Sequence, residues 1–160
     1  LVPTVRKILQ ETGLETDWLE LEITESMIMQ QPDQAVFLLE ELKAMGIMLA
    51  IDDFGTGYSS LSVLKHFPIH RIKIDRSFVE GIPHNEDDVS IAEVIINMAH
   101  RMELDVIAEG IEKEEQIIAL QKMGCNAGQG YLFGRPMTAH AVEDLLSKPH
   151  INPLPQPHNT

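Results

Sequence analysis

Charged side chains follow apolar runs at four points along the chain. They are Glu22 and Glu25 in LEITE, Asp52 and Asp53 in AIDD, Lys73 and Asp75 in IKID, and Glu109 and Glu112 in AEGIE. Each apolar run predicts a strand, and the carboxyl ends of parallel strands lie on one face, so these groups are expected to converge. Converging carboxylates resist ionisation unless a cation lies among them, and oxygen-only ligands suit Mg²⁺, Mn²⁺ or Ca²⁺. The joint pattern therefore favours a divalent-metal site.

Each position also has a purely structural interpretation. The first two glutamates could face solvent on a strand or begin the next segment. Asp52 and Asp53 could cap a short helix, and Lys73 could be a surface lysine. The last two glutamates could support the helix that follows them. A coincidence at four strand ends is much less frequent than any single one, so the metal site is the favoured interpretation.

The elements that would position these residues alternate between helix and strand patterns, which predicts an α/β fold. Helices are expected over residues 4–13, 32–46, 59–67, 87–103, 112–124 and 138–148, and strands over 18–24, 47–52, 71–75, 105–110 and, more weakly, 128–133. Strands separated by helices imply a parallel sheet, either an open doubly wound sheet or part of a (β/α)₈ barrel. The G-x-G-x-x-G pattern of dinucleotide-binding folds is absent, since GTG is only a fragment of it.

Composition limits the classes of partner and compartment. The formal net charge of −13 argues against binding to DNA or RNA. The single cysteine, Cys125, excludes an intramolecular disulfide and fits a reducing cytoplasm. No apolar run approaches the roughly 20 residues that a membrane-spanning helix needs. A cytoplasmic domain is expected, although the full-length protein could be tethered to a membrane.

Five motifs, taken in order, resemble the EAL-type cyclic di-GMP phosphodiesterases. They are LELEITES, IDDFGTGYSSL, IKIDRSFV, VIAEGIE and GQGYLFGRPM. The resemblance implies a TIM-like (β/α)₈ barrel with its active site at the carboxyl ends of the strands. It assigns residues 1–148 to a partial EAL domain and leaves 149–160, a segment with four prolines, as a flexible tail.

The resemblance also implies a role for each matching residue. Glu22, Asp52, Asp53 and Glu109 would be ligands of two Mg²⁺ or Mn²⁺ ions; Lys73, Glu109 and Glu112 would be catalytic; Gln129 and Asp75 would bind substrate; Glu25, Gly55 and Gly57 would anchor and shape the loop after the second predicted strand. In this family Lys73 would hold the attacking water. The implied reaction opens cyclic di-GMP to linear pGpG.

The sequence departs from the family at its beginning. The E-A-L motif with its metal-binding glutamate, and an asparagine ligand on the next strand, would lie upstream of residue 1. We therefore expect about five of the eight barrel strands, an incomplete site for the first metal, and weak or no catalysis by this chain alone. The resemblance further implies a homodimer and additional sensor or GGDEF-type domains. The alternative is a noncatalytic cyclic di-GMP receptor or a regulatory module.

Overall fold

The computed structural model describes residues 1–57 and 64–147. In chain order the elements are α1 (Val2–Thr12), a 3-10 turn (Thr16–Trp18), β1 (Glu20–Thr24), α2 (Glu25–Gln30), α3 (Pro32–Ala44), β2 (Met48–Phe54), β3 (Arg71–Ile74), α4 (Arg76–Val79), α5 (Glu86–Arg101), β4 (Asp105–Ala108), α6 (Glu114–Met123), β5 (Ala127–Gly128) and α7 (Ala139–Leu146). The strands form one five-stranded parallel sheet in the order β1-β2-β3-β4-β5. The predicted parallel α/β sheet is thus confirmed. A sheet order that follows the chain is the order of a barrel wall, whereas a doubly wound sheet reverses its order.

The two faces of the sheet differ in polarity because the strand register keeps alternate residues in rows. On one face Glu22 lies beside Ala50, and in the next row Thr24 lies beside Asp52 and Lys73 beside Ile107. This inner face carries the charged side chains. The outer face is aliphatic and almost completely buried, through Leu49, Ile51, Ile72, Ile74, Val106 and Ala108.

Helix α5 shows how the sequence builds the layer outside the sheet. Asn85 caps its first turn by accepting hydrogen bonds from the backbone N–H groups of Asp87 and Asp88. Acidic residues in the first turn and basic ones in the last match the helix dipole. Its buried positions are Ala92, Ile95, Ile96 and Ala99, a helical spacing that packs one stripe against β3 and β4. In the part of the chain described, no helix has the length and apolar character needed to cross a membrane.

Several predicted bounds differ from the structure. Two short helices, α2 and α4, were not predicted, because each begins directly at the end of a strand and lacks a long periodic pattern. Trp18 belongs to the 3-10 turn rather than to β1, and β5 comprises two residues instead of 128–133. The chain turns at Gly130, where Phe133 N–H donates to the Gly130 carbonyl. Most of the helix predicted over 59–67, and the predicted tail, lie outside the described residues.

The amino-terminal part of the inner face is held by a charged group on β3. Arg71 Nη1 lies 2.6 Å from Glu20 Oε2 on β1, and Arg71 Nη2 lies 3.5 Å from Asp105 Oδ2 on β4. One guanidinium therefore reaches two other strands of the sheet.

Just before β3, a histidine ring completes the hydrogen bonding of β2. The backbone N–H of Leu49 donates to His70 Nδ1 over 3.1 Å, which requires that nitrogen to be unprotonated. Burial first, and then the positive charge of Lys43, hold the pKa of His70 below its ordinary value.

Acidification is therefore expected to destabilise the chain through His70. The unfolded chain takes up a proton near pH 6.5, whereas the folded ring stays neutral to lower pH, so stability falls as the pH drops from about 6.5 through the folded pKa. In His70→Asn, a non-titrating oxygen can accept the Leu49 N–H. Urea unfolding at pH 7.5 and 5.5 should show a smaller pH effect for this variant than for wild type. The exposed His66→Asn should behave as wild type, and an identical pH effect in all three proteins would refute the assignment.

Candidate active site

The ammonium group of Lys73 lies at the centre of the polar end of the sheet. Its Nζ is 2.8 Å from Glu22 Oε1, 3.0 Å from Asp52 Oδ1 and 2.6 Å from Glu109 Oε1. These residues come from β1, β2, β3 and the residue after β4, so the parallel register brings them together. The Lys73 side chain is 4% exposed, which excludes its interpretation as a surface lysine. We call Lys73, Glu22, Asp52 and Glu109 the lysine cluster.

The charges of the lysine cluster are only partly balanced. Burial disfavours the charged form of Lys73, but its close polar contacts with the carboxylates of Glu109, Glu22 and Asp52 outweigh this effect and raise the pKa of Lys73 above its ordinary value. The ammonium therefore stays charged across the physiological pH range. Three carboxylates face one ammonium, so the cluster retains surplus negative charge that a cation can neutralise.

Asp53 adds a further carboxylate beside this cluster. Asp52, Asp53 and Glu109 each offer one carboxylate oxygen, and the three oxygens lie within 4.8 Å of one another. Burial first, and then repulsion from Asp52 and Asp75, raise the pKa of Asp53 above its ordinary value.

In the described part of the chain, one oxygen of this group is buried without a hydrogen bond of acceptable geometry. Within residues 1–57 and 64–147, the buried Asp52 Oδ1 accepts no hydrogen bond of acceptable geometry, although Lys73 Nζ lies 3.0 Å away. A set of acceptor oxygens with one buried and unsatisfied member fits a hard divalent cation such as Mg²⁺ or Mn²⁺.

A bulge in β2 explains how two consecutive aspartates reach the same site. Regular alternation would direct them to opposite faces of the sheet. The pairing of β2 with β3 shifts between Ile51 and Phe54, so that Asp52 and Asp53 together oppose Lys73. Asp53 has a φ of 54°, in the left-handed region that few residues other than glycine adopt. The sequence predicted that both carboxylates would converge, but it did not predict this bulge.

The loop after β2 is attached to the start of α2 through Glu25. This side chain is buried, and its Oε2 accepts the backbone N–H groups of Gly55 at 3.1 Å and Gly57 at 3.3 Å. A Cβ at Gly57 would lie 2.5 Å from Glu25 Oε1, so a larger residue would displace the carboxylate. Gly55 has a φ of 99°, a backbone conformation that glycine adopts more readily than other residues. Glu25 thus fixes the loop after β2, which follows Asp53, to the first residue of α2.

The other predicted site residues lie beside the lysine cluster rather than within it. A cavity of about 210 Å³, here called the inner cavity, is lined by Arg76, Glu109, Gly110, Glu112, Gln129, Gly130 and Tyr131. Glu109 belongs to both the cluster and this cavity, so the two are continuous. Arg76 Nη2 lies 3.0 Å from Glu112 Oε1. Asp75 is not a lining residue of the inner cavity; its Oδ1 caps α4 by accepting the Ser77 N–H at 3.0 Å.

A buried glutamine supports this side of the site and was missed in the sequence. Gln116 Oε1 accepts the backbone N–H groups of Glu112 at 2.8 Å and Lys113 at 2.9 Å, while its Nε2 donates to the Val79 carbonyl at 2.9 Å. It thereby fixes the segment carrying Glu112 to the end of α4. A glutamine three residues after a helix N-cap is half of a capping-box signature, and that spacing could have identified it.

The chain is similar in sequence and in structure to known proteins. A family model described as the EAL domain matches residues 1–136. The cyclic di-GMP phosphodiesterase NbdA of Pseudomonas aeruginosa is 47% identical over 146 residues, which are 91% of this chain and 19% of NbdA. The solved MucR phosphodiesterase of the same organism, in complex with c-di-GMP, has a TM-score of 0.86 at 45% identity, covering 89% of this chain and 57% of the MucR chain.

A further solved structure contains a metal. Klebsiella pneumoniae BlrP1, in a complex with manganese and cyclic di-GMP, is 36% identical with a TM-score of 0.78, over 84% of this chain and 34% of the BlrP1 chain. This chain thus spans about a fifth of the length of NbdA and less than two thirds of either solved chain.

Proposed function

The chain belongs to the EAL domain family, and from this premise we propose that it is part of a domain that hydrolyses cyclic di-GMP to linear pGpG. Its five parallel strands form part of a TIM-like barrel, with residues 1–148 in the proposed domain. The observation that carries the proposal is the lysine cluster at the strand ends, extended by Asp53. The names of NbdA and of the MucR complex, which specify cyclic di-GMP, support this choice of substrate.

We propose that Glu22, Asp52, Asp53 and Glu109 hold two divalent cations, Mg²⁺ or Mn²⁺. The manganese complex of BlrP1 supports this choice of metal. When bound, the cations would supply Lewis-acid activation of water and of the phosphodiester. Asp52 would be a ligand in this site, in keeping with its buried oxygen that accepts no hydrogen bond of acceptable geometry from the described residues. On this proposal the site for the first ion would also need the glutamate of an E-A-L motif and an asparagine, which the family resemblance places before residue 1.

The other site residues would orient and neutralise the reactants. Lys73 would donate a hydrogen bond to the attacking water and offset negative charge beside the phosphodiester. Glu109 would act as a ligand or as the base that accepts the proton from that water. Glu112 and Gln129, on the wall of the inner cavity, would position substrate or water. Asp75 would reach the substrate only by giving up its cap on α4.

One observation favours a second candidate function. Lys73 already provides a positive partner for three carboxylates, so the cluster could remain folded and bind a ligand without catalysis. On that hypothesis the protein is a noncatalytic receptor for cyclic di-GMP. Calorimetry would show binding of the nucleotide in samples that form no pGpG.

Removal of divalent cations is expected to abolish hydrolysis. The full-length protein, incubated with cyclic di-GMP and Mg²⁺ or Mn²⁺, should form pGpG that chromatography detects, and a chelator should reduce it to background. The 160-residue chain alone should be weak or inactive. Absence of pGpG above an Asp52→Ala control would reject the enzyme. Equal hydrolysis of generic phosphodiesters would instead indicate a different barrel hydrolase.

We also propose a homodimer, which sedimentation velocity can test. Additional sensor or GGDEF-type domains are proposed because MucR, a bifunctional diguanylate cyclase and cyclic di-GMP phosphodiesterase, is matched over 21% of its length. A cytoplasmic location is proposed on the basis of the single cysteine.

A further inference from the structure

Two segments meet at the inner cavity after they leave the sheet. One comprises residues 75–80 and contains α4, and the other comprises residues 109–113 and leads into α6. The backbone pairing of β3 with β4 continues as far as the Glu109 N–H, which donates to the Ile74 carbonyl over 3.1 Å. Beyond that bond the two segments are no longer part of the sheet, so their spacing depends on side chains.

At the cavity itself, the two segments are joined by an ion pair. Arg76 Nη2 lies 3.0 Å from Glu112 Oε1, and both side chains are about half exposed. The stem of Arg76 crosses directly over Gly110, where an added Cβ would lie 2.8 Å from the Arg76 Cβ. An exposed ion pair of this kind contributes about 0–1 kcal/mol, which is too little to fix the position of Glu112 by itself.

Gln116 joins the same two segments from the buried side. Its side chain is 2% exposed. It makes four hydrogen bonds to backbone groups, in which Oε1 accepts from the N–H groups of Glu112 and Lys113 and Nε2 donates to the carbonyls of Val79 and Glu80. Within the described ranges, the Arg76–Glu112 pair is the only other hydrogen bond or ion pair between residues 75–80 and 110–116. The position of the Glu112 backbone relative to α4 therefore depends on Gln116.

The amide of Gln116 has a donor that a helix cap does not require. Gln116 is the third residue of α6 and accepts the N–H of the N-cap residue, a role that glutamate fills equally well in a capping box. A carboxylate has no N–H group and would place negative charge against the carbonyls of Val79 and Glu80. Only an amide can accept from one segment and donate to the other, so the residue type indicates a bridge as well as a cap.

We propose that Gln116 is a positioning residue for the reaction, which sets the place of the Glu112 carboxylate on the wall of the inner cavity. This inference rests on the proposed function, in which Glu112 positions substrate or water. Gln116 acts through the Glu112 backbone on one side and through α4 on the other, where Arg76 is the first residue. Without this bridge the two segments would separate, and the Arg76–Glu112 pair would lose its fixed spacing.

The test compares Gln116→Glu with Gln121→Glu in the full-length protein. Gln116→Glu keeps the acceptor that caps α6 but removes the donor that reaches the Val79 carbonyl. It should lower kcat for cyclic di-GMP by about 10- to 100-fold, as expected for a displacement of about 1 Å at the site, with KM changed less than about threefold. Gln121→Glu makes the same chemical change at an exposed position of α6 and should match wild type.

A double-mutant cycle separates positioning from a loss of stability. In the Glu112→Ala background there is no carboxylate to position, so Gln116→Glu should lower kcat by less than about twofold. A general loss of stability would instead lower the activity of both backgrounds by the same factor. Urea unfolding would measure stability, and Gln116→Met, which has no buried charge, should show the same dependence on Glu112 and decides the question if Gln116→Glu fails to fold.

The outcomes distinguish this inference from the proposed function. Wild type that neither binds nor hydrolyses cyclic di-GMP would overturn both. If wild type binds without turnover, hydrolysis is rejected and the same cycle is measured as calorimetric Kd values, in which coupling between the two positions supports the inference and additive changes overturn it. In an active enzyme, a wild-type kcat for Gln116→Glu would show that Gln116 only caps α6. An equal loss with and without the Glu112 carboxylate would show that it only supports folding.

Discussion

Lys73→Met is expected to lower the free energy of unfolding by about 2–4 kcal/mol in metal-free buffer. The substitution keeps an apolar stem of similar length but leaves the carboxylates of Glu22, Asp52 and Glu109 without their shared cation. Removing one partner of a fully buried ion pair costs about 3–5 kcal/mol. Glu22 is 45% exposed and can be hydrated, so a loss somewhat below that range, about 2–4 kcal/mol, is expected here.

Divalent cations should recover most of this loss. Without the ammonium, the carboxylates repel one another more strongly and gain more from Mg²⁺ or Mn²⁺, which binds the folded state preferentially. Thermal and urea unfolding with and without millimolar Mg²⁺ would measure the effect. Lys7→Met, which removes an exposed lysine paired with Glu11 on α1, is the matched control and should change stability by less than about 0.5 kcal/mol. A Lys73→Met protein as stable as the control in metal-free buffer would show that the lysine cluster contributes no net electrostatic stability.

Asp52→Asn is expected to reduce pGpG formation by at least about 100-fold while leaving the fold intact. Loss of residues that only support metal ligands already costs 10- to 100-fold, and Asp52 is proposed as a direct ligand. Asparagine has nearly the same shape and can still contact Lys73, but it lacks the negative charge of the carboxylate and offers only one oxygen to a cation. Its effect should therefore appear in activity and metal affinity rather than in stability.

The experiment for Asp52 measures turnover, metal binding and unfolding in the same preparation. Asp144→Asn, an exposed change on α7, controls for the loss of one negative charge and should be silent. Asp53→Asn should also weaken metal binding, since its oxygen lies within 4.8 Å of those of Asp52 and Glu109. Retention of wild-type turnover by Asp52→Asn would disprove its proposed role as a metal ligand.

The convergence of the charged residues could be predicted because it depends only on parallel strands and their common carboxyl ends. The central position of Lys73 in the site could not be predicted. Alternation assigns a strand residue to one face, but its burial depends on which neighbours surround it there. The bulge at Asp53 could not be predicted from the sequence either, because it depends on how many residues β2 and β3 place opposite each other.

Short elements were the other source of error. Helix α4 has four residues, and β5 has two, so neither contains enough periods to be read from hydrophobicity. The spacing of Gln116 could have indicated its bonds to the start of α6, but it does not reveal the bond to the Val79 carbonyl, which lies 37 residues away in the chain. The sequence thus indicated the kind of site better than the contacts that support it.

The two basic residues of β3 have a consequence for strand alignment during folding. A slip of one residue would expose apolar side chains, so hydrophobic patterning already excludes it, but a slip of two residues keeps every side chain on its own face. Arg71 and Lys73 together distinguish the correct alignment, because both meet carboxylates at the same time only when β3 lies in its native position. A shift by two residues would place Arg71 among the carboxylates that Lys73 should meet and leave Glu20 and Asp105 unpaired. The inner-face charges thus specify the alignment of strands that apolar packing alone would leave ambiguous.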